Sequence, residues 1–248
     1  MRFKLTSVLL VLVLAGCGPQ PPRVAQAPAD DHPAADVVRK YHPVRLTADL
    51  RTLTDNERAM LPLLIRAAQQ MDSIFWRQSW GTPDSLLAAH AHHEAISLAL
   101  RINYGPYDRL DGNRSFLQEA APKPAGAAFY PTDLTVAEFE AADLPDKRSP
   151  YTRLIRDAKG QLQTQPYREA YAPYPQTAAR LLRMAANLAE THDLKAYLLA
   201  RAQALETDQY QGSDRAWLGM KQNRLDIVIG PIETYEDQFL GLKAAHEA

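Results

Sequence analysis

Leu61, Leu64, Ile65, Ala68, Met71 and Phe75 recur at three- and four-residue steps, a spacing that lines one side of a helix and that no strand can bury on one face. Thr54-Asp-Asn-Glu57 stands ahead of them as a capping box, so an amphipathic helix is expected from Asp55 to Trp80, stopped near Gly81 and kinked by Pro62. Thr82-Pro83 opens a second helix expected to run to about Ile102. Thr135-x-x-Glu138 caps a short helix, and two longer ones are expected from Pro175 to Glu190 and from His192 to Glu206. Ser213 caps another turn or two carrying Trp217. Strand signals are few. Tyr151 to Arg156 and Leu162 to Tyr167 flank Asp157-Ala-Lys-Gly160 as a hairpin, and Asp226-Ile-Val-Ile229 runs into Gly-Pro as a short buried strand. The fold class is mainly α with a small β component, α+β.

The first 36 residues have a different character. Arg2 and Lys4 precede Val8-Leu-Leu-Val-Leu-Val-Leu14, an apolar run too short to span a bilayer, and Leu14-Ala-Gly-Cys17 has the shape of a bacterial lipobox. Residues 1–17 are therefore expected to be a lipoprotein signal peptide, with Cys17, the one cysteine of the chain, as the lipidation site. Gly18 after the cysteine points to the outer membrane, facing the periplasm. Residues 18–36, rich in Pro and Ala, are expected to be an extended tether, leaving residues 37–248 as the folded part. Without Arg2 and Lys4 the protein is mildly acidic, which argues against a nucleic-acid partner.

Several clusters could carry chemistry. His90-Ala-His-His-Glu94 would bring His90, His93 and Glu94 to one helical face, yet the His-Glu-x-x-His frame fails at Ser97. Two helical ligands without a distant third read as a solvated polar face. Asp108, Asp111 and Asn113 lack the alternating oxygens of a calcium loop and read as Asx-turn residues and partners for Arg109 and Arg114. The loop from Asn103 to Pro131 is long and aromatic, and Tyr104, Tyr107 and Phe129 could line a cleft. The sequence holds no Gly-x-Ser-x-Gly, no glycine-rich phosphate loop and no Arg-Glu-x-x-Glu-Glu signature of a Nudix pyrophosphatase. Glu233 and Tyr235 follow the last strand closely enough to be held rigidly. A phenol can donate to an oxyanion, and a carboxylate can bind an ammonium or polarise water. The alternative is that Glu233, Glu236 and Asp237 are the acidic first turn of a helix.

Leu61-Pro-Leu-Leu-Ile65, Asn103-Tyr-Gly-Pro-Tyr-Asp-Arg-Leu-Asp-Gly-Asn113, Pro122-Lys-Pro-Ala-Gly126, and Tyr210-Gln-Gly-Ser-Asp-Arg-Ala-Trp217 leading into Ile229-Gly-Pro-Ile-Glu-Thr-Tyr235 together resemble the dipeptidyl-peptidase III-like zinc metallopeptidases. The resemblance implies part of a two-lobed hydrolase with a peptide substrate, in which Tyr235 stabilises the transition state and Glu233 grips the peptide N-terminus. Dipeptidyl peptidases proper carry an arginine after that tyrosine, where this chain has Glu236. The resemblance also implies zinc ligands downstream of the Glu-x-Tyr segment, beyond Lys243-Ala-Ala-His-Glu-Ala248, which itself reads as the interior of a helix. The chain is thus expected to be the N-terminal portion of an envelope-anchored peptidase, inactive and binding no zinc by itself, with a missing C-terminal zinc lobe as its partner. The other reading is a non-catalytic lipoprotein that binds peptides or a partner.

Overall fold

The computed structural model describes residues 31–248; Cys17, the lipobox and residues 18–30 of the expected tether lie outside them. Chain order is α1 (Pro33–Arg39), α2 (Asp55–Ser79), α3 (Pro83–Ala89), α4 (Glu94–Asn103), β1 (Tyr107–Asp108), β2 (Arg114–Ser115), α5 (Val136–Ala141), β3 (Thr152–Arg156), β4 (Leu162–Pro166), α6 (Tyr167–Ala170), α7 (Tyr174–Ala186), α8 (His192–Thr207), α9 (Gln211–Gly219), β5 (Gly230–Glu233) and β6 (Ala245–Glu247). Among the described residues the strands form three antiparallel pairs, β1 with β2, β3 with β4 and β5 with β6. Mainly α with a small β component describes the chain.

The long helix α2 organises the rest. Its capping box forms as the sequence predicts: Glu57 N donates to Thr54 Oγ1 at 3.2 Å, and Thr54 N to Glu57 Oε2 at 2.9 Å. Met60, Leu64, Ala67, Met71 and Ile74 are buried along one stripe, where α7 packs, with α8 on α7 and α9 on α8. Burying a side chain of that size contributes about 1.5–3 kcal/mol relative to leaving it in water. The observed stripe is rotated from the expected one, because Ile65 is 57% exposed and Ala68 only half-buried. Those two positions form the wall of a cleft instead. A second cluster gathers α1, α4, Trp76, Phe116 and Leu117. α1 begins inside the expected tether and buries Ala34, Ala35, Val37 and Val38.

Three expectations need correction. The helix from Pro83 to Ile102 is two helices, since continuing the Leu86/Leu87 stripe by three or four residues lands on His90, His93 and Ser97, all polar. Burying Ile96, Ala99 and Leu100 requires a helix restarted in a new phase. Asp226 to Ile229 is extended but unpaired: Tyr197 Oη donates to the Ile227 carbonyl at 2.7 Å and Arg201 Nη1 to that of Ile229 at 3.1 Å, so α8 side chains take the bonds a neighbouring strand would have made. The strand is β5, shifted onto Gly-Pro-Ile-Glu. The tail expected as helix interior is β6, paired with β5 through Gly230–Glu247, Pro231–His246 and Glu233–Ala245, with a bulge between Pro231 and Glu233.

Candidate functional site

Between α2 and the β5–β6 ribbon lies an open cleft of about 520 Å³. Ile65, Asp72 and Phe75 of α2 form one wall with Tyr104, and Tyr235, His246 and Glu247 form the other. Two phenol–carboxylate pairs meet in it. The Tyr235 hydroxyl donates to Glu247 Oε1, and the Tyr104 hydroxyl donates to Asp72 Oδ1. Burial first, and the adjacent carboxylate second, hold both phenols well above the ordinary tyrosine range, so each stays a proton donor. Tyr235 remains half exposed, available to a ligand in the cleft.

Tyr104 reaches this place through an unusual backbone. It ends α4 in the left-handed region, at φ 54°, and Ser79 Oγ donates to its carbonyl at 2.6 Å. Its ring packs 4.7 Å from Phe75 and 5.5 Å from Trp76. A left-handed tyrosine is sterically costly and persists where packing fixes it, which is common at binding sites.

The turn carrying Tyr235 is fixed from beneath. Asp237, buried, accepts from the backbone N–H groups of Phe239, Leu240, Leu242 and Lys243 at 2.8–3.1 Å and from the Tyr130 hydroxyl at 2.6 Å. Glu236, equally buried, accepts from Arg109 Nη1 at 2.8 Å and from Lys123. The alternative reading made these two acids part of the first turn of a helix, and no helix starts there; they tie the turn to the loop from Asn103 to Pro131 instead. The departure from the arginine of dipeptidyl peptidases is thus a buried ion cluster rather than a cleft-facing charge.

β6 is anchored by two titratable groups turned inward. Lys243 Nζ donates to the carbonyls of Lys147 and Ser149 at 2.7 and 2.8 Å and to Thr152 Oγ1 at 3.0 Å, and burial pushes it down to about 8. His246 takes an N–H of Gln78 at Nδ1 (3.0 Å), while its own backbone N donates to Gln78 Oε1 at 2.7 Å. That leaves the proton of the neutral ring on Nε2, which meets no acceptor among the described residues. Burial pushes His246 down to about 3 from 6.5. With the folded value depressed, the unfolded chain binds the extra proton. His246 is therefore expected to support stability fully above about pH 6.5, and to erode it by up to about 1.4 kcal/mol per pH unit as pH falls from there toward 3. Asp208, raised by burial to about 6, titrates in the same window with the opposite sign. Urea unfolding of wild type against His246→Phe between pH 7 and pH 5 isolates the histidine, since only wild type should show the added slope.

Of the residues singled out from sequence, Tyr235 lies in the cleft. Glu233 sits on β5, paired through its backbone with Ala245; its side chain is exposed, makes no hydrogen bond or ion pair among the described residues, and is not among the cleft-lining residues. Tyr104 joins Tyr235, whereas Tyr107 lines a separate groove and Phe129 is core. The histidine cluster does not converge: His90 faces Glu119 across 3.6 Å, while His93 starts α4, exposed. Asp108 closes an Asx-turn onto Leu110 N at 3.0 Å and pairs with Lys40; Asp111 pairs with Arg114 as expected, and Arg109 goes to Glu236. Among the described residues no three His, Cys, Asp or Glu side chains form a group that could hold a metal ion, so they do not by themselves fit the zinc the resemblance implies. Asp72 and Glu247 were missed. Neither stands in a motif, and only pairing with distant tyrosines gives them a place.

No family model matches the chain. Its structure is similar to that of dipeptidyl-peptidase III from Caldithrix abyssi (TM-score 0.78, 33% identity, 85% of this chain and 42% of that one). It is equally similar to dipeptidyl-peptidase III from Corallococcus sp. strain EGB (TM-score 0.78, 32% identity, 90% of this chain and 43% of that one). In sequence it is 30% identical over 271 aligned positions to Nudix hydrolase 3 of Arabidopsis thaliana, which spans 85% of this chain and 35% of that protein. The chain spans less than half the length of each.

Proposed function

We propose that this dipeptidyl-peptidase III-like chain is the part of an envelope-anchored, zinc-dependent peptidase that carries the transition-state tyrosine. The supporting observation is the placement of Tyr235. The residue matched to the family's tyrosine projects from a braced turn into an open cleft, as a protonated phenol. A phenol so placed can donate a hydrogen bond to the oxyanion formed when a peptide carbonyl is attacked. Glu233, on the strand that leads to it, would hold the peptide's amino terminus by the same resemblance. Its exposure leaves it free for that task. The zinc would supply the activated water and would be held by residues other than those described here. Lipid on Cys17 would tie the protein to the outer membrane, facing the periplasm.

The test is made on the longest product of the locus. Stoichiometric zinc, hydrolysis of dipeptidyl-naphthylamides and labelled palmitate entering through Cys17 are expected together. A product that folds and melts cooperatively but neither binds zinc nor cleaves peptides would favour a peptide-binding lipoprotein without chemistry. One observation speaks for that second reading: β6 packs onto α2 with Ala245 and His246 buried, so the last strand described here belongs to the core.

A further inference from the structure

Tyr235 does not point freely into the cleft. Its hydroxyl is committed to Glu247, which lies on the neighbouring strand at the register position opposite Gly230. The strand that brings Glu247 there is fixed two ways, by ladder pairing to β5 and by the Gln78–His246 bonds to α2. Tyr235 itself is fixed by the turn built on Glu236 and Asp237. Two rigid supports therefore converge on one hydrogen bond. We propose that Glu247 is a positioning residue for Tyr235, directing the phenol O–H and keeping its proton in place until a ligand's oxygen takes the bond over. What the hydroxyl is used for rests on the peptidase reading; the pairing does not.

The chemistry follows from counting protons. A phenol has one O–H, so it donates to Glu247 or to an oxyanion, never to both at full strength. Rotation about the ring C–O bond transfers the donation without breaking a covalent bond. In the resting state the carboxylate opposes ionisation of the phenol, because a phenolate beside it would place two negative charges in contact. The charged and titratable groups facing Tyr235 are Glu247 from β6, Arg109 from the loop after β1, and Glu236 next in the chain. Asp72 and Tyr104 line the opposite wall. Of these, Arg109 alone favours the phenolate, and it is held by Glu236. Across the cleft Tyr104 and Asp72 repeat the arrangement. A carboxylate holding a phenol proton is thus built twice into one cleft.

The experiment follows the Tyr235 phenol by carbon-13 NMR in the chain labelled at tyrosine Cζ, the signal being assigned by its loss in Tyr235→Phe. In wild type it should remain protonated above the ordinary phenol value of about 10. In Glu247→Gln, which keeps the size and removes the charge, the titration should fall by roughly one unit or more. The Tyr197 signal, from a buried ring of α8 whose charged neighbours are Arg201, Asp226 and Asp214, should not move, which shows that the variant is folded. Identical titration of Tyr235 in wild type and Glu247→Gln would overturn the proposal. In a zinc-loaded, peptide-cleaving product, the alkaline limb of kcat should move to lower pH in Glu247→Gln by a similar amount. A purely structural glutamate would lower activity without moving that limb, and this outcome too would overturn it. The NMR measurement involves no substrate, so failure of the peptidase reading leaves it standing, and its own failure leaves that reading untouched.

Discussion

Glu236→Ala should lower the free energy of unfolding by about 3–5 kcal/mol, the usual cost of removing one partner from a buried ion pair. The Glu236 side chain is 1% exposed and neutralises two cations, Arg109 at 22% and Lys123 at 10% exposure. Burial pulls Lys123 below its ordinary range even with the carboxylate beside it. Deleting the carboxylate leaves both cations desolvated with no countercharge, and Arg109 is already held tightly by its Nε bond to the Asn103 carbonyl at 2.9 Å. Arg109 cannot turn to water without losing that bond. Glu236→Gln keeps one acceptor and should cost less. Urea unfolding at neutral pH gives the number. A loss below about 1 kcal/mol would mean that the cluster behaves as a solvated surface pair.

What was legible in the sequence was what is determined locally. The capping box at Thr54, the α5 cap at Thr135 and the Asp157–Gly160 hairpin turn each lie within a few residues of the groups they bind, and each formed as expected. The start of α7 and both ends of α8 lie within one residue of the expected ones, while α7 stops at Ala186, four residues short of the expected Glu190. The errors came where a distant partner decides. Ile65 belongs to a helical stripe by spacing, yet the core lies to one side of it and the cleft lies over it. Residues 226–229 have strand composition, but their carbonyls were already claimed by Tyr197 and Arg201 from α8. Ala244 to Glu247 looked helical for want of a visible strand partner; β5 supplied one, its Pro231 pairing with His246 from earlier in the chain. A run of Glu, Glu and Asp near a strand end suggests a helix start by charge, and nothing local shows that Lys123 and Tyr130, more than a hundred residues away, will take the last two.

The site divides the same way. Tyr235 could be chosen from its position after a β-rich stretch and from the family resemblance. Glu247 and Asp72 could not, since their meaning lies in which phenol each one holds. Glu233, chosen on the same grounds as Tyr235, lies exposed on the strand rather than among the residues lining the cleft.

In the proposed peptidase Tyr235 works on the reacting group rather than merely filling the cleft. Tyr235→Phe removes one oxygen atom, leaves the ring and the braced turn in place, and frees Glu247, which is exposed enough to be rehydrated. Stability should therefore change little. If the hydroxyl donates to the oxyanion, its bond is stronger in the transition state than with bound substrate, and its loss appears in kcat rather than in KM. Measured on the zinc-loaded product of the locus with a dipeptidyl-naphthylamide, Tyr235→Phe should lower kcat by about 10²–10³-fold with KM nearly unchanged. A kcat within about threefold of wild type, in a variant of unaltered stability, would contradict the account.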